Sequence, residues 1–271
     1  MNELTRGVDF FNQYEQNKIK WEYKSIPGRG KILVCAPHPD DDIIGCGGTI
    51  CKHVLLKDDI EVLFFTTGAT KDEPDYETLV MQRREESKNA LRNLGENIKA
   101  TYLSYPANSL CDDNQKILGE VEEYIRRKQP SIIYVPNTND RHIDHWMCNQ
   151  ILSQVLFSVN FNPEIIMYSV WSPIIPNLLI NITDTFQFKM LALQCYYSQL
   201  AEYRFDKLIH YAAGYYMNLY HPLKTWRICI QEKQIFTNPI LPWMYAEPYK
   251  KIEKDEYLKK FISEKRNEKT V

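Results

Sequence analysis

The chain has 271 residues, 44% of them hydrophobic and 25% charged, which suits one large globular domain. A formal net charge of −2 gives no electrostatic case for binding nucleic acid or an anionic membrane. No apolar run approaches the ~20 residues that span a bilayer, and residues 1–23 lack the apolar core of a secretory signal. Seven scattered Cys without a Cys-x-x-Cys pair fit reduced thiols in a cytoplasmic protein better than a disulfide framework or a zinc ribbon.

Residues 1–29 read as an N-terminal extension that ends in the turn Pro27-Gly28-Arg29-Gly30. Strand-like runs follow at Ile32–Ala36, Val62–Thr66, Tyr102–Tyr105 and Ile132–Val135. Helix-like segments separate them: Gly47–Leu56, Tyr76–Leu94 with Gly95 as its stop, Gln115–Lys128, and one from His142 or Asp144 to about Val159. This alternation predicts an α/β fold, a mostly parallel sheet flanked by helices on both faces. Beyond Pro163, Ile165–Trp171 and Leu178–Ile182 suggest a hairpin or a pair of edge strands, and helices are expected over Phe186–Tyr197 and about Gln199–Leu219. No linker, repeat or low-complexity stretch divides the chain, so one domain is placed at residues 30–250. Residues 251–271, rich in Lys and Glu, are expected to form a charged tail or solvated helix.

The densest chemistry lies just after the first of these strands, in Ala36-Pro37-His38-Pro39-Asp40-Asp41-Asp42. One imidazole and three carboxylates so close together repel or strain one another unless a cation neutralises them. A divalent metal site explains the crowding. If the loop curls by one turn, His38 and Asp41 point the same way and can both act as ligands. Asp40 then points elsewhere and stays free as a base; the structural alternative is an Asp-rich turn with Asp42 capping a helix. A second cluster, Arg141-His142-Ile143-Asp144-His145, follows the strand Ile132–Val135. Both clusters sit at the carboxyl ends of strands, where open α/β sheets bind ligands. His38, Asp41 and His145 would make a three-ligand set with an open position, the catalytic zinc arrangement. Asp40 and His142 are then left over, a base and an oxyanion-stabilising donor, which are the two groups amide hydrolysis needs. His53, His210 and His221 lack comparable acidic neighbours and read as structural. Gly45-x-Gly47-Gly48 has the wrong spacing for a dinucleotide fingerprint, and no Gly-x-Ser-x-Gly or Walker motif is present.

The pattern Ala-x-His-Pro-Asp-Asp-Asp-x-x-Gly-x-Gly-Gly, followed by Arg-His-x-Asp-His, resembles the PIG-L/LmbE-like zinc-dependent N-acetylglucosaminyl deacetylases. The resemblance extends through Thr66-Thr67-Gly68, Arg83-x-x-Glu86-x-x-x-Ala90, Leu103-Ser104-Tyr105, Tyr168 to Trp171 and Ala246-Glu247-Pro248-Tyr249. It implies a Rossmann-like fold and hydrolytic removal of an acetyl group from a small N-acetylglucosaminyl compound. By position it assigns His38, Asp41 and His145 to zinc, with Fe2+ or another divalent ion as the alternative metal. It assigns Asp40 as general base and His142 as the residue that polarises the carbonyl. Arg83 falls on the family arginine that helps hold substrate, although a helix-surface ion pair with Glu85 or Glu86 would equally explain it. Asn108 stands, with Ala107, where the family carries an Asp-Gly pair that reaches the sugar. Trp146, beside His145, and Trp171 are candidates for stacking on a sugar.

The implied partner is a small amino-sugar substrate, with no nucleic acid and no membrane; a homo-oligomer is compatible with the sequence. An aminoglycoside or other antibiotic pseudo-disaccharide, a thiol precursor and a chitin fragment all fit this description. The alternative activity is a metal-dependent amidase acting on a non-acetyl amide or thiol conjugate.

Overall fold

A computed structural model describes residues 22–24, 27–112, 114–220 and 245–262. In chain order these form β1 (Glu22–Lys24), β2 (Lys31–Ala36), α1 (Asp41–Leu55), β3 (Asp59–Thr66), α2 (Tyr76–Leu94), β4 (Lys99–Tyr105), α3 (Asn114–Lys128) and β5 (Ile132–Pro136). Then come α4 (Ile143–Ser158), β6 (Glu164–Tyr168), β7 (Leu178–Asn181), α5 (Phe186–Gln194), α6 (Tyr197–Glu202), α7 (Phe205–Tyr220), β8 (Ala246–Ile252) and α8 (Lys254–Ile262). The part of the extension before residue 22, His221, and the tail beyond residue 262 lie outside the described residues.

The strands make one eight-stranded sheet in the order β1-β7-β8-β6-β5-β2-β3-β4. Every pairing is parallel except the two made by β8. Successive side chains of a strand point to opposite faces, so a run such as Ile32 to Ala36 feeds two cores at once. Ile32, Val34 and Ala36 join Val62, Phe64 and residues of α1, α2 and α5 on one face. Leu33 and Cys35 join Leu63, Phe65 and residues of α3, α4 and α8 on the other. Both faces are covered, as the alternating pattern predicts.

Three features differ from the sequence expectation. Helix α1 starts at Asp41, six residues before the expected Gly47. The Asp40 carbonyl accepts from Ile43 N at 3.0 Å and Ile44 N at 2.9 Å, so the acidic loop itself opens the helix. Its carboxylates at Asp41 and Asp42 then sit in the first turn, where the helix dipole favours negative charge. Second, the strands at 165–171 and 178–182 form neither the expected hairpin nor a pair of edge strands. β8 returns from far along the chain and inserts antiparallel between β6 and β7, so those two never pair. Third, α8 is not a solvated helix. Tyr257 and Phe261, four residues apart and so on one face, are buried in the core beneath α4.

Strand order reverses at β2, which has β3 on one side and β5 on the other. Register pairs Ile32 with Ile132 and Val34 with Tyr134, so the carboxyl ends of β2 and β5 lie side by side. At such a switch point the following loops diverge and leave a crevice. The loops carrying the two clusters found in the sequence flank this crevice.

Candidate functional site

The loop after β2 holds His38, and α1 begins with Asp41. The Pro37 carbonyl accepts from Thr66 N at 2.9 Å and Thr66 Oγ1 at 2.8 Å, which ties the loop to the end of β3. Arg83 reaches in from α2 and donates from Nη2 to the Pro39 carbonyl at 2.7 Å. Between these anchors Asp40 adopts φ 133°, ψ −30°. That region is costly for any residue with a Cβ, by about 1–3 kcal/mol, and such strain persists only where the surroundings over-determine it. Gly68, at the end of β3, has φ +73°, and a Cβ there would lie 2.7 Å from the Arg83 guanidinium. Glycine at 68 lets Arg83 come this close.

After β5, Asn149 of α4 donates to the Pro136 carbonyl at 3.1 Å and holds the second loop down. His142 caps α4: its Nδ1 accepts from Asp144 N at 3.2 Å. An Nδ1 that accepts leaves the proton of a neutral ring on Nε2.

The two loops meet. His38 Nδ1 lies 3.1 Å from Asp41 Oδ2, His145 Nε2 lies 3.1 Å from the same oxygen, and the two ring nitrogens are 3.3 Å apart. The three donors form a nearly equilateral triangle. A tetrahedral ion with bonds of about 2.0–2.1 Å to nitrogen or oxygen has ligand–ligand edges of about 3.3–3.4 Å, so the triangle fits one face of such an ion. His142 also brings a ring nitrogen within 4.8 Å of those of His38 and His145, so a three-histidine group is available too. Asp41 is the better third donor, being closer to both, while His142 Nδ1 is spent on its helix cap.

Each imidazole of the triangle has a carboxylate behind it. Asp144 Oδ2 is 2.9 Å from His38 Nε2 and also accepts from Asn108 N at 2.8 Å. Asp140 Oδ2 lies 3.3 Å from His145 Nδ1. Such outer carboxylates fix the ring orientation and raise the basicity of the inner nitrogen. The sequence reading passed over both roles, because each contact exists only once the loops meet; Asp144 was visible only as part of the Arg-His-x-Asp-His motif.

The electrostatics ask for a cation. Burial disfavours charge on His145, yet Asp41 and Asp140 outweigh it and lift the imidazole to about 10. Burial likewise resists ionisation of Asp41, but His145 and His38 hold it well below the usual carboxylate range. Burial and the neighbouring Asp41 push Asp40 up to about 7, with Arg83 opposing. His142 is pushed down by burial and by His38 and His145. A metal ion held by the triangle would supply positive charge beside the buried Asp41 carboxylate.

His38, Asp40, Asp41, Arg83, Asn108 and His142 all line one cavity of about 240 Å3. With Trp171, seven of the nine residues singled out as site candidates therefore share it. His145 is not among the lining residues; it is fully buried, with Nε2 3.1 Å from Asp41 Oδ2. Trp146 does not join them: its ring lies against Phe261, centroids 6.5 Å apart. Adjacent helix positions diverge by about 100°, so a residue next to His145 in sequence faces another way. Trp171, the other stacking candidate, does line the cavity, together with Tyr203 and Phe205. Arg83 makes no ion pair with Glu86; Glu86 instead accepts from Ser198 N at 3.0 Å and Ser198 Oγ at 2.7 Å. The described cysteines carry free thiols. Among the described residues no helix is long and apolar enough to cross a membrane.

A family model described as PIG-L, GlcNAc-PI de-N-acetylase, matches residues 33–156, the span from β2 through α4 that holds both loops. Diacetylchitobiose deacetylase of Thermococcus kodakarensis is 27% identical over 191 residues, covering 64% of this chain and 71% of that protein. Among solved structures, the N,N'-diacetylchitobiose deacetylase from Pyrococcus horikoshii matches with a TM-score of 0.61 at 19% identity, over 92% of this chain and 94% of that one. GalB, a 4-carboxy-2-hydroxymuconate hydratase from Pseudomonas putida, matches with a TM-score of 0.64 at 17% identity, over 83% and 96%. The same scaffold thus carries a hydratase as well as deacetylases, and the backbone alone does not decide the reaction.

Proposed function

We propose that the chain is a PIG-L/LmbE-like N-deacetylase, as the family-model match over residues 33–156 and the deacetylase relative support, and that it removes the acetyl group from a small N-acetylglucosaminyl compound in a zinc-dependent reaction, releasing acetate and a free amino sugar. The observation that carries this reading is the triangle of His38 Nδ1, Asp41 Oδ2 and His145 Nε2, with edges of 3.1–3.3 Å, opening onto a cavity that also holds Asp40 and His142.

His38, Asp41 and His145 would hold the ion, which when bound supplies a Lewis acid that polarises the amide carbonyl and makes water acidic. The remaining work falls to side chains. Asp40, held in place beside Arg83, takes the proton from the attacking water as it adds to the acetyl carbon. His142 presents Nε2–H to the carbonyl oxygen and stabilises negative charge there as the tetrahedral carbon forms. The proton on Asp40 then passes to the departing nitrogen, the C–N bond breaks, and the products are acetate and the amine. Arg83 serves this step indirectly: its contacts with the Pro39 carbonyl and, at 3.4 Å, Asp40 Oδ2 hold the carboxylate toward the cavity.

The test uses the purified chain stripped with a chelator, then reloaded with Zn2+ or Fe2+, and assayed for acetate and amine release. The panel spans N-acetylglucosaminides and, beside them, longer-chain amides and thiol conjugates. Acetate release that disappears on chelation and returns with metal is expected. Metal-dependent turnover confined to the non-acetyl amides would move the assignment to an amidase.

A further inference from the structure

We propose that Ile44 is the residue that confines the acyl group to acetyl. It stands as a partition between the reaction cavity and a second, apolar cavity behind it, and a shorter side chain at this position opens that cavity to a butanoyl chain. The proposal rests on the deacetylase reading above for the orientation of the amide, and it concerns the acid released rather than the amine.

Helix geometry puts Ile44 at the site. It lies three residues after Asp41 in the first turn of α1, so the two side chains share a helix face. The side chain is 7% exposed and lines the reaction cavity. Among the described residues lining that cavity, it is the only aliphatic side chain larger than that of alanine. The acyl carbon of a bound amide turns its oxygen toward His142 and the triangle, and its nitrogen leads to the sugar. The methyl group is left, and the apolar wall that Ile44 and Phe205 provide suits it.

Ile44 also lines the second cavity, of about 60 Å3. The elements between the two cavities each supply neighbouring residues to both. After β6, Val170 borders the second cavity and Trp171 the first. In α7, Phe205 borders the first, while Leu208 and Ile209, one turn on, border the second. At Ile44 a single side chain borders both, so the partition there is one side chain thick. Lys189 and Glu247 line the second cavity as well, but their charges are spent on each other at 2.6 Å. A water molecule needs about 10–15 Å3 of such space, so the cavity has room for the two carbons by which butanoyl exceeds acetyl.

The partition is stiff. Ile44 N donates to the Asp40 carbonyl at 2.9 Å, and the Ile44 carbonyl accepts from Lys189 Nζ at 2.8 Å. The next residue, Gly45, is pressed so closely on Tyr168 that a Cβ would lie 2.1 Å from the ring, so α1 has no slack at this point. A β-branched side chain in a helix keeps one strongly preferred χ1 rotamer, so Ile44 does not swing aside. Forcing extra methylenes against such a side chain strains rotamers and backbone. Ile44 also belongs to the core beneath α1. A purely structural role would lower stability on truncation but leave the choice between acyl groups unmoved.

The test compares acid release from N-acetylglucosamine and N-butanoylglucosamine by the zinc-loaded wild type, Ile44→Val, Ile44→Ala, and the double variant Ile44→Ala with Ala212→Leu. Water cleaves either amide, giving glucosamine with acetate or butanoate. In kcat/KM the wild type should favour the acetyl amide at least about 100-fold. Ile44→Ala should bring the two amides within about tenfold of each other, with Ile44→Val between. Ala212, a further turn along α7, lines only the second cavity, so leucine there refills it and should restore most of the discrimination. Comparable cleavage of both amides by the wild type, a ratio unmoved by Ile44→Ala, or a gain that survives Ala212→Leu would overturn the proposal. Should Ile44→Ala fail to fold, the direction in which Ile44→Val moves the ratio decides. If no protein in the series releases either acid, the ratio is read as calorimetric affinity of the two amides for the zinc-loaded Asp40→Asn protein, with and without Ile44→Ala. A butanoyl disadvantage lost in the alanine variant then supports the partition and the missing turnover counts against the deacetylase reading alone, whereas equal affinities overturn the partition.

Discussion

Asp144 and His38 are 106 residues apart in the chain, yet Asp144 Oδ2 sits 2.9 Å from His38 Nε2. The contact joins the loop after β5 to the loop after β2 and leaves His38 Nδ1 to face Asp41 and His145. Asp144 is fully buried, so nothing from solvent replaces it. Asp144→Ala should weaken zinc binding by about 10–100-fold, the usual cost of losing a carboxylate behind a ligating imidazole. Competition against a chromophoric chelator measures this directly. An unchanged zinc affinity would mean that His38 needs no such support or is not a ligand.

Asp40 offers a separation of stability from activity. Its φ of 133° suits glycine and strains aspartate. Burial and the adjacent Asp41 add to the cost of keeping its carboxyl ionised. Asp40→Gly should therefore raise the urea midpoint, with a gain of about 1 kcal/mol or more, while turnover falls at least about 100-fold through loss of the base. Asp40→Asn keeps the strained backbone and should lose similar activity without the gain from relief of backbone strain. Turnover near the wild-type rate in either variant would remove Asp40 from the mechanism.

Gly45 tests how closely α1 must approach the sheet, and Gly119 of α3 is the open-space control. A Cβ on Gly45 would fall 2.1 Å from the ring of Tyr168, whose hydroxyl donates to the Cys35 carbonyl at 2.7 Å. Neither partner can yield, since Tyr168 is fully buried in the core. Gly119, exposed in α3, has nothing within 4 Å of the same position. Gly45→Ala should destabilise by about 1–3 kcal/mol through overpacking, whereas Gly119→Ala should stabilise by about 0.5–1 kcal/mol through helix propensity. Thermal unfolding of the two variants should move in opposite directions.

What the sequence disclosed and what it withheld divide by distance along the chain. The run Ile32 to Cys35 and the spacing His38-x-x-Asp41 are local, and a turn of backbone suffices to read them. The alternation of β3, α2, β4, α3 and β5 was equally plain, because each element carries its own period. β8 was legible only as the short stretch Ala246-Glu247-Pro248-Tyr249, not as a strand. It contains Pro248 and two lysines, and it earns its place by inserting between β6 and β7 rather than by its own pattern. α8 looked like a solvated tail since Lys254, Asp255, Glu256, Lys259 and Lys260 surround its apolar residues, and only the packing shows that Tyr257 and Phe261 turn inward. At the site, Asp140 and Asp144 gained their roles from partners on another element. Trp146 was misjudged because adjacency in sequence on a helix means divergence in space.

A buried charge pair, Lys189 with Glu247, braces the helix that Asp41 opens. Glu247 of β8 accepts from Lys189 Nζ of α5 at 2.6 Å, from Gly48 N and Thr49 N of α1 at 2.9 and 2.8 Å, and from Tyr249 Oη at 2.8 Å. Lys189 Nζ also donates to the Ile44 carbonyl at 2.8 Å. The pair fastens α1, α5 and β8 together, and both side chains are almost wholly buried. Removing one charge strands the other, at a cost of about 3–5 kcal/mol. Lys189→Met should therefore destabilise the protein strongly, and Glu247→Gln alone should do so for the mirror reason. The double variant Lys189→Met with Glu247→Gln leaves no unpaired charge and should recover a large part of the loss. Urea unfolding of the four proteins gives the coupling energy. Additive losses in the double variant would show that the pair acts through its separate backbone contacts and not as a charge pair.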